Sequence, residues 1–221
     1  MITLVIEAAT YAGSVALVEA DRVLGERSVA MRGRDREALL PAVAEVLADA
    51  SVTVSQLERI VCGAGPGSFT SLRIAGGIAK GLALAEEIPL VPVSSLALLV
   101  ASRESLAPGR YLAAIDALRG EHYVAGFEVA SNGELTSEHG VTLVPSRELD
   151  EFATQRAAEL VVAGATSVGA LAPHARAAAR LTKLINATAP ADLAAWEPAY
   201  GRLAEAQVKW EAAHGRSLAG A

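Results

Sequence analysis

One order of elements occurs twice along this chain, and it limits the fold more than any single motif. Alternating and continuous apolar runs predict strands over 3–7, 14–19 and 23–30, with Glu19-Ala20-Asp21 as the turn between the last two. A helical pattern over 35–50 follows, then a strand over 60–63, a glycine-rich turn opening into a helix, and a strand at 90–93. The order restarts at Tyr111. Strands are predicted over 111–116, 122–130 and 135–144, with Ser131-Asn132-Gly133 as the hairpin signal. A helical stretch near 147–157, a strand over 160–163, a second glycine turn at Gly164 and a helix around 173–181 complete the copy. Strand, strand, strand, helix, strand, helix, strand, given twice, predicts an α/β protein of two similar lobes, each a mixed sheet flanked by helices. The junction falls in "ASRESLAPGR" (101–110), whose Pro-Gly and charges suit a linker, so the lobes are read as 1–103 and 104–221.

Such a core must be aliphatic, because 52% of the 221 residues are hydrophobic and only 4% are aromatic. The net charge of −6 argues against independent, non-specific nucleic-acid binding, which depends on neutralising phosphates. The one basic cluster, "RGRDR" from Arg32 to Arg36, reads as a solvated loop or helix start. A single cysteine, Cys62, forms no internal disulfide, suits a reducing cytoplasm, and reads as a small apolar residue at a strand end. No apolar run is long enough to cross a bilayer, and "MITLVIEAAT" lacks the charged region and cleavage site of a signal peptide.

The stretch "GAGPGSFTSLRIAGGIAKGLALA" (63–85) has the look of a phosphate cradle, since a glycine-rich turn before a helix can aim backbone N–H groups at an anion. Its spelling is wrong for a P-loop, because Lys80 lies inside the helix with no Ser or Thr after it. The dinucleotide fingerprint fails too, its third glycine falling on Ser68 or Thr70. The favoured reading is packing: Pro66 and Gly67 make a tight turn, Ser68 caps the helix, and Gly76, Gly77 and Gly81 let another backbone approach. Arg73 and Lys80 are the helix's only charges and share one side, while Gly76, Gly77, Ala83 and Leu84 leave another side small and apolar. In the preceding helix Leu39, Leu40, Val43, Val46 and Leu47 exceed one core-facing stripe. The two helices together predict an apolar patch for a partner, with Leu39, Leu40, Val43, Leu47, Arg73, Gly76, Gly77, Lys80 and Leu84 as its residues. The alternative cover is an extra helix of the same chain, with the C-terminal one as the candidate.

No catalytic constellation emerges. "GSFTS" is not a nucleophile elbow, and the histidines at 122, 139, 174 and 214 have no chelating spacing and read as surface or cap residues. Asp116 and Glu121 could form a carboxylate pair at the interlobe cleft, against the plainer reading of ordinary hairpin chemistry.

"AGPGSFTSLRIAGGIAKGLA", preceded by "LLPAV" and followed by "IPLVPVSSL", resembles the TsaB (YeaZ) family of bacterial tRNA threonylcarbamoyladenosine biosynthesis. "AAIDALRGEHY" (113–123) and the late "EPAY" (197–200) are similar to family motifs as well. The resemblance implies the actin-like ATPase fold, whose nucleotide site lies between the lobes, and a non-catalytic subunit paired with a catalytic sister of TsaD type. It further implies a separate TsaE-like ATPase subunit, a homodimer when the chain is alone, and contact with tRNA only through the complex, with no membrane. Three departures bear on a small-molecule site. The first strand ends "IEAAT", with Glu7 and Ala8 where relatives often have Asp then Thr or Ser; no His precedes "LLP"; and Asp116-Ala117-Leu118 stands where the family has D-A-R. Ser95 and Leu99 stand where the sister subunits carry two metal-binding histidines, so no metal and no resident cofactor are expected. Residual nucleotide binding would be weak and would use Glu7, Gly13, Asp116 and Gly164. The rival reading is an active ATP-dependent kinase or hydrolase of the same fold.

Overall fold

Strands β1 (Ile2–Glu7), β2 (Ala12–Glu19) and β4 (Arg59–Gly63) are apolar almost without interruption, as strands covered on both faces must be. In a computed structural model, which describes residues 1–32, 37–164, 171–201 and 214, they form the centre of the first sheet. β1 pairs antiparallel with β2, Glu7 opposite Ser14, and parallel with β4. β3 (Arg22–Ala30) and β5 (Leu90–Val93) complete the order β3-β2-β1-β4-β5. The second sheet consists of β6 (Gly109–Asp116), β7 (Glu121–Val129), β8 (Leu135–Pro145) and β9 (Glu159–Val162), in the order β8-β7-β6-β9. Position for position, this repeats the first four strands of the first sheet. The duplicated, mixed-sheet architecture predicted from the sequence is therefore present.

Five layers result, because successive residues of a strand point to opposite faces. Leu4, Ile6, Val15, Leu17, Ile60 and Cys62 face outward onto α1 (Leu39–Asp49) and α2 (Phe69–Ala85). The opposite face, with Val5, Ala16 and Val61, joins Tyr111, Ala113, Ile115 and Phe127 of the second sheet in a shared middle layer. That layer is filled by α3 (Ser95–Ala101), all seven residues of which are buried, and by a 3-10 turn at Ala175–Arg180. Beyond the second sheet, Leu112, Ala114, Val124 and Val144 pack on α4 (Leu149–Gln155). The 103/104 division falls in the loop between α3 and β6.

The copies differ at their ends. The helix expected around 173–181 is instead the 3-10 turn followed by the six-residue α5 (Thr182–Ala187), and no second-sheet counterpart of β5 occurs among the described residues. This chain is used otherwise. Ser14 Oγ accepts from Ala175 N at 2.9 Å, Arg176 pairs with Glu26, and Ala191 N donates to Leu90 O at 2.8 Å. Residues 171–199 thus return across the first lobe. The helix start expected at Asp35, and the "RGRDR" cluster after Arg32, lie outside the described residues.

Candidate functional site

Both sheets end at a cleft of about 660 Å³ between the lobes. Thr10, Tyr11 and Arg32 form one side, Ser68 to Ser71 at the start of α2 form the floor, and Asp116 to Arg119 with Gly164 and Tyr200 form the other. Arg32 stacks on the Tyr11 ring at 4.0 Å, and Phe69 meets Tyr200 with centroids 4.6 Å apart. In the β6–β7 turn, Asp116 Oδ1 accepts from Leu118 N at 2.8 Å, while Leu118, Arg119 and Gly120 all have positive φ. Of "ALRG" in this turn only the glycine favours that geometry, so the two left-handed residues before it are not readable from the sequence.

Of the four residues expected at a nucleotide site, the structure brings Asp116 and Gly164 to the cleft. Glu7 is elsewhere. Fully buried, its carboxylate accepts from Ala9 N at 2.5 Å and from the Ser95 hydroxyl at 2.8 Å. Burial raises its pKa from 4.5 to about 7, against the lowering effect of those hydrogen bonds. The same burial, with Glu7 alongside, pushes the Cys62 thiol up, leaving an inert packing residue. Gly13 is covered by Met31, whose sulfur would lie 2.6 Å from an added Cβ.

The glycine loop explains this placement. A Cβ on Gly63 would sit 1.8 Å from Glu7 Oε2, and one on Gly67 would sit 2.1 Å from the Ala9 carbonyl oxygen. Both glycines serve close approach. The loop amides are also committed within the chain: Ala64 N to Val93 O, Gly65 N to Ser95 Oγ, and Ser68 N to Ala9 O. Ser68 occupies the N-cap position, as expected, but its hydroxyl pairs with Ser71 Oγ at 3.0 Å and makes no cap bond.

The α1–α2 surface is narrower than the sequence suggested. Leu39, Val43 and Leu47 are buried against the first sheet, because a helix on a sheet two layers deep has a wide apolar face to fill. Gly76 is buried beneath Pro198 and Trp196, and the Lys80 ammonium donates to Trp196 O at 2.9 Å. There the cover comes from the same chain, but as a non-helical segment, not the extra helix weighed above. What remains open is a row along α2: Arg73, Gly77, Gly81 and Leu84, with nothing within 4 Å of an added Cβ at either glycine. Leu84 is 70% exposed and Leu40 on α1 is 50% exposed.

Ser95 and Leu99 are both fully buried in the middle layer. Among the described residues, no three His, Cys, Asp or Glu side chains gather as a metal site. His174 caps the 3-10 turn, accepting from Arg176 N at 3.2 Å, and burial lowers its pKa. His122 pairs with Ser146 at 3.1 Å.

Two mixed sheets of repeated order with a cleft between them define the class: a two-lobed protein of the actin-like ATPase fold. Residues 32–138 match the profile of TsaD, tRNA N6-adenosine threonylcarbamoyltransferase. The tRNA threonylcarbamoyladenosine biosynthesis protein TsaB of Escherichia coli (strain K12) is 36% identical over 163 residues, 73% of this chain and 70% of the relative. The protein of the same name from Bacillus subtilis (strain 168) is 29% identical over 95% of this chain and 98% of its own length. Among solved structures, YeaZ from Pseudomonas aeruginosa superposes with a TM-score of 0.69 at 29% identity, covering 86% of this chain and 95% of that one. The chain belongs to the TsaB family.

Proposed function

We propose that this protein is a non-catalytic subunit of the tRNA threonylcarbamoyladenosine synthesis machinery, acting by docking a catalytic sister subunit of TsaD type. The role in that synthesis follows the names of its relatives. The docking role is carried by one observation: the open row Arg73, Gly77, Gly81 and Leu84 on α2, beside exposed Leu40 on the adjoining α1. Two glycines with no side chain above them let a partner helix approach closely, and Leu40 and Leu84 supply apolar anchors. The same face would close a homodimer in the absence of the partner. A TsaE-like ATPase and tRNA meet this chain within the complex. The setting is cytoplasmic, in keeping with one buried cysteine and with described helices too short or too polar to cross a membrane.

The kinase or hydrolase reading has the cleft in its favour. Against it stands Glu7, the carboxylate at the end of the first strand, which is bonded to Ala9 and Ser95 beneath Gly63 and does not line the cleft.

The test is Gly77→Arg. It adds bulk and charge where an added Cβ meets nothing, so circular dichroism should match wild type. Affinity for the TsaD-type partner should fall by about 2 kcal/mol or more, roughly thirtyfold. Undiminished binding in size-exclusion chromatography and calorimetry would move the interface elsewhere.

A further inference from the structure

Glu7 is a buried carboxyl that the docking role does not use, and its partners form a chain of contacts. Gly65 N–H donates to Ser95 Oγ at 3.1 Å, the Ser95 hydroxyl donates to Glu7 Oε2, and Ala9 N–H donates to Glu7 Oε1. Ser95 N–H returns a bond to Gly65 O at 3.0 Å, and Ala9 O accepts from Ser68 N at 2.7 Å. One side chain therefore joins three segments: the β1–β2 loop, the glycine loop that starts α2, and the first residue of α3. We propose that Glu7 is a proton-operated clasp, holding the 63–68 loop and the first turn of α2 in place when protonated, its Oε2–H then donating to Ser95 Oγ across the same 2.8 Å contact, and loosening them when ionised.

The surroundings give the direction. β4 presents Cys62 and Gly63 to Glu7, α3 presents Ser95, the β1–β2 loop presents Ala9, and β2 places Ser14 opposite it in register. Among the described residues no cation pairs with it, and Cys62 is the other titratable group that senses its charge. An ionised carboxylate there is met by the Ser95 hydroxyl and the Ala9 and Ala8 amides but by no counter-charge, and burial outweighs these donors, so water must reach it for the charge to be tolerated. The thinnest cover is the glycine loop, where Gly63 contributes no side chain and lies against the carboxylate. Opening that loop moves Ser68, the N-cap of α2, and so the helix that carries the open row. This last consequence rests on the docking role proposed above.

Hydrogen exchange of the Ala9 and Gly65 amides, corrected for intrinsic rates, tests the clasp on the full chain without any partner. Between pH 6 and 8 protection should fall about tenfold in wild type and stay level in Glu7→Gln, which keeps the shape and cannot ionise. Equal pH dependence in both proteins would overturn the proposal. A Glu7 side-chain carbonyl resonance in wild type that titrates with a midpoint near the ordinary carboxylate value would do the same, even if Glu7→Gln fails to fold. Affinity for the TsaD-type partner at pH 6 and 8 should weaken with pH in wild type only. No binding by any form at either pH counts against the α1–α2 face, whereas the exchange data alone decide the clasp.

Discussion

β1 and β6 hold the same place in their sheets, and each ends in a carboxylate, Glu7 in the first and Asp116 in the second. Their surroundings are opposite. Glu7 is sealed under the glycine loop and Ser95, while Asp116 is exposed at the cleft and caps its own turn. The cause lies downstream in the chain. After β4 come a packing loop, a 17-residue helix, β5 and the buried α3. After β9 come a 3-10 turn and a six-residue helix that leave the second sheet and clothe the first. A duplicated strand order thus fixes where a residue sits along a sheet, and the connections decide whether it meets solvent.

The largest test of this asymmetry is in the core. Leu98 is fully buried in the middle layer that both sheets share, whereas Leu149 belongs to the small cluster between the second sheet and α4. Leu98→Ala should cost about 3–5 kcal/mol in denaturant unfolding and Leu149→Ala about 2 kcal/mol. Equal costs would mean that the second sheet's outer layer collapses no better than the shared middle. A single unfolding transition in both variants is also expected, because the two sheets share one core.

The two carboxylates give the next contrast. Glu7 has a folded pKa of about 7 against 4.5 unfolded, so the folded state binds the proton more tightly. Its contribution to stability is whole below pH 4.5 and is lost as pH rises to about 7, a change of about 3 kcal/mol. Glu7→Gln should therefore gain stability relative to wild type across that window and hold the gain at higher pH. Asp116→Asn, at an exposed strand end and keeping an oxygen for Leu118 N, should shift stability by less than about 0.5 kcal/mol. A wild-type profile parallel to that of Glu7→Gln would place the buried charge elsewhere.

The strands, α1, α2 and the repeated order were legible because their apolar periods are long and their turns are well marked, as at Ser131-Asn132-Gly133, where Gly133 has φ +77°. α3 was not read as a helix: "SLALLVA" is apolar on every side because both sheets cover it, so no helical period shows. The 188–199 return was illegible for the opposite reason. It has no regular period, and it docks through single residues, Pro198 and Trp196 on Gly76 and Ala199 N on Ala64 O. At the candidate site, spelling alone separated a packing loop from a phosphate loop, but the direction of Glu7 depended on Ser95, 88 residues away in the chain.

The smallest effect bears on the glycines themselves. Gly67 lies against the Ala9 backbone, and a methyl there would approach a carbonyl oxygen that is already held by Ser68 N. Neither side can swing aside, because Ala9 is fixed in turn by Glu7 and Ser68 begins α2. Gly140, on the outer strand β8 of the second lobe, has nothing within 4 Å of an added Cβ and has no positive φ. Gly67→Ala should cost about 1–3 kcal/mol through overpacking, and Gly140→Ala should change stability by no more than about 0.5 kcal/mol. Chemical denaturation of the two variants measures both. If Gly67→Ala is as harmless as Gly140→Ala, the first loop has slack, and close packing is not why its glycines are there. A loss of stability at Gly67 that is absent when Glu7 is already Gln would show instead that the carboxyl is what holds Ala9 rigid.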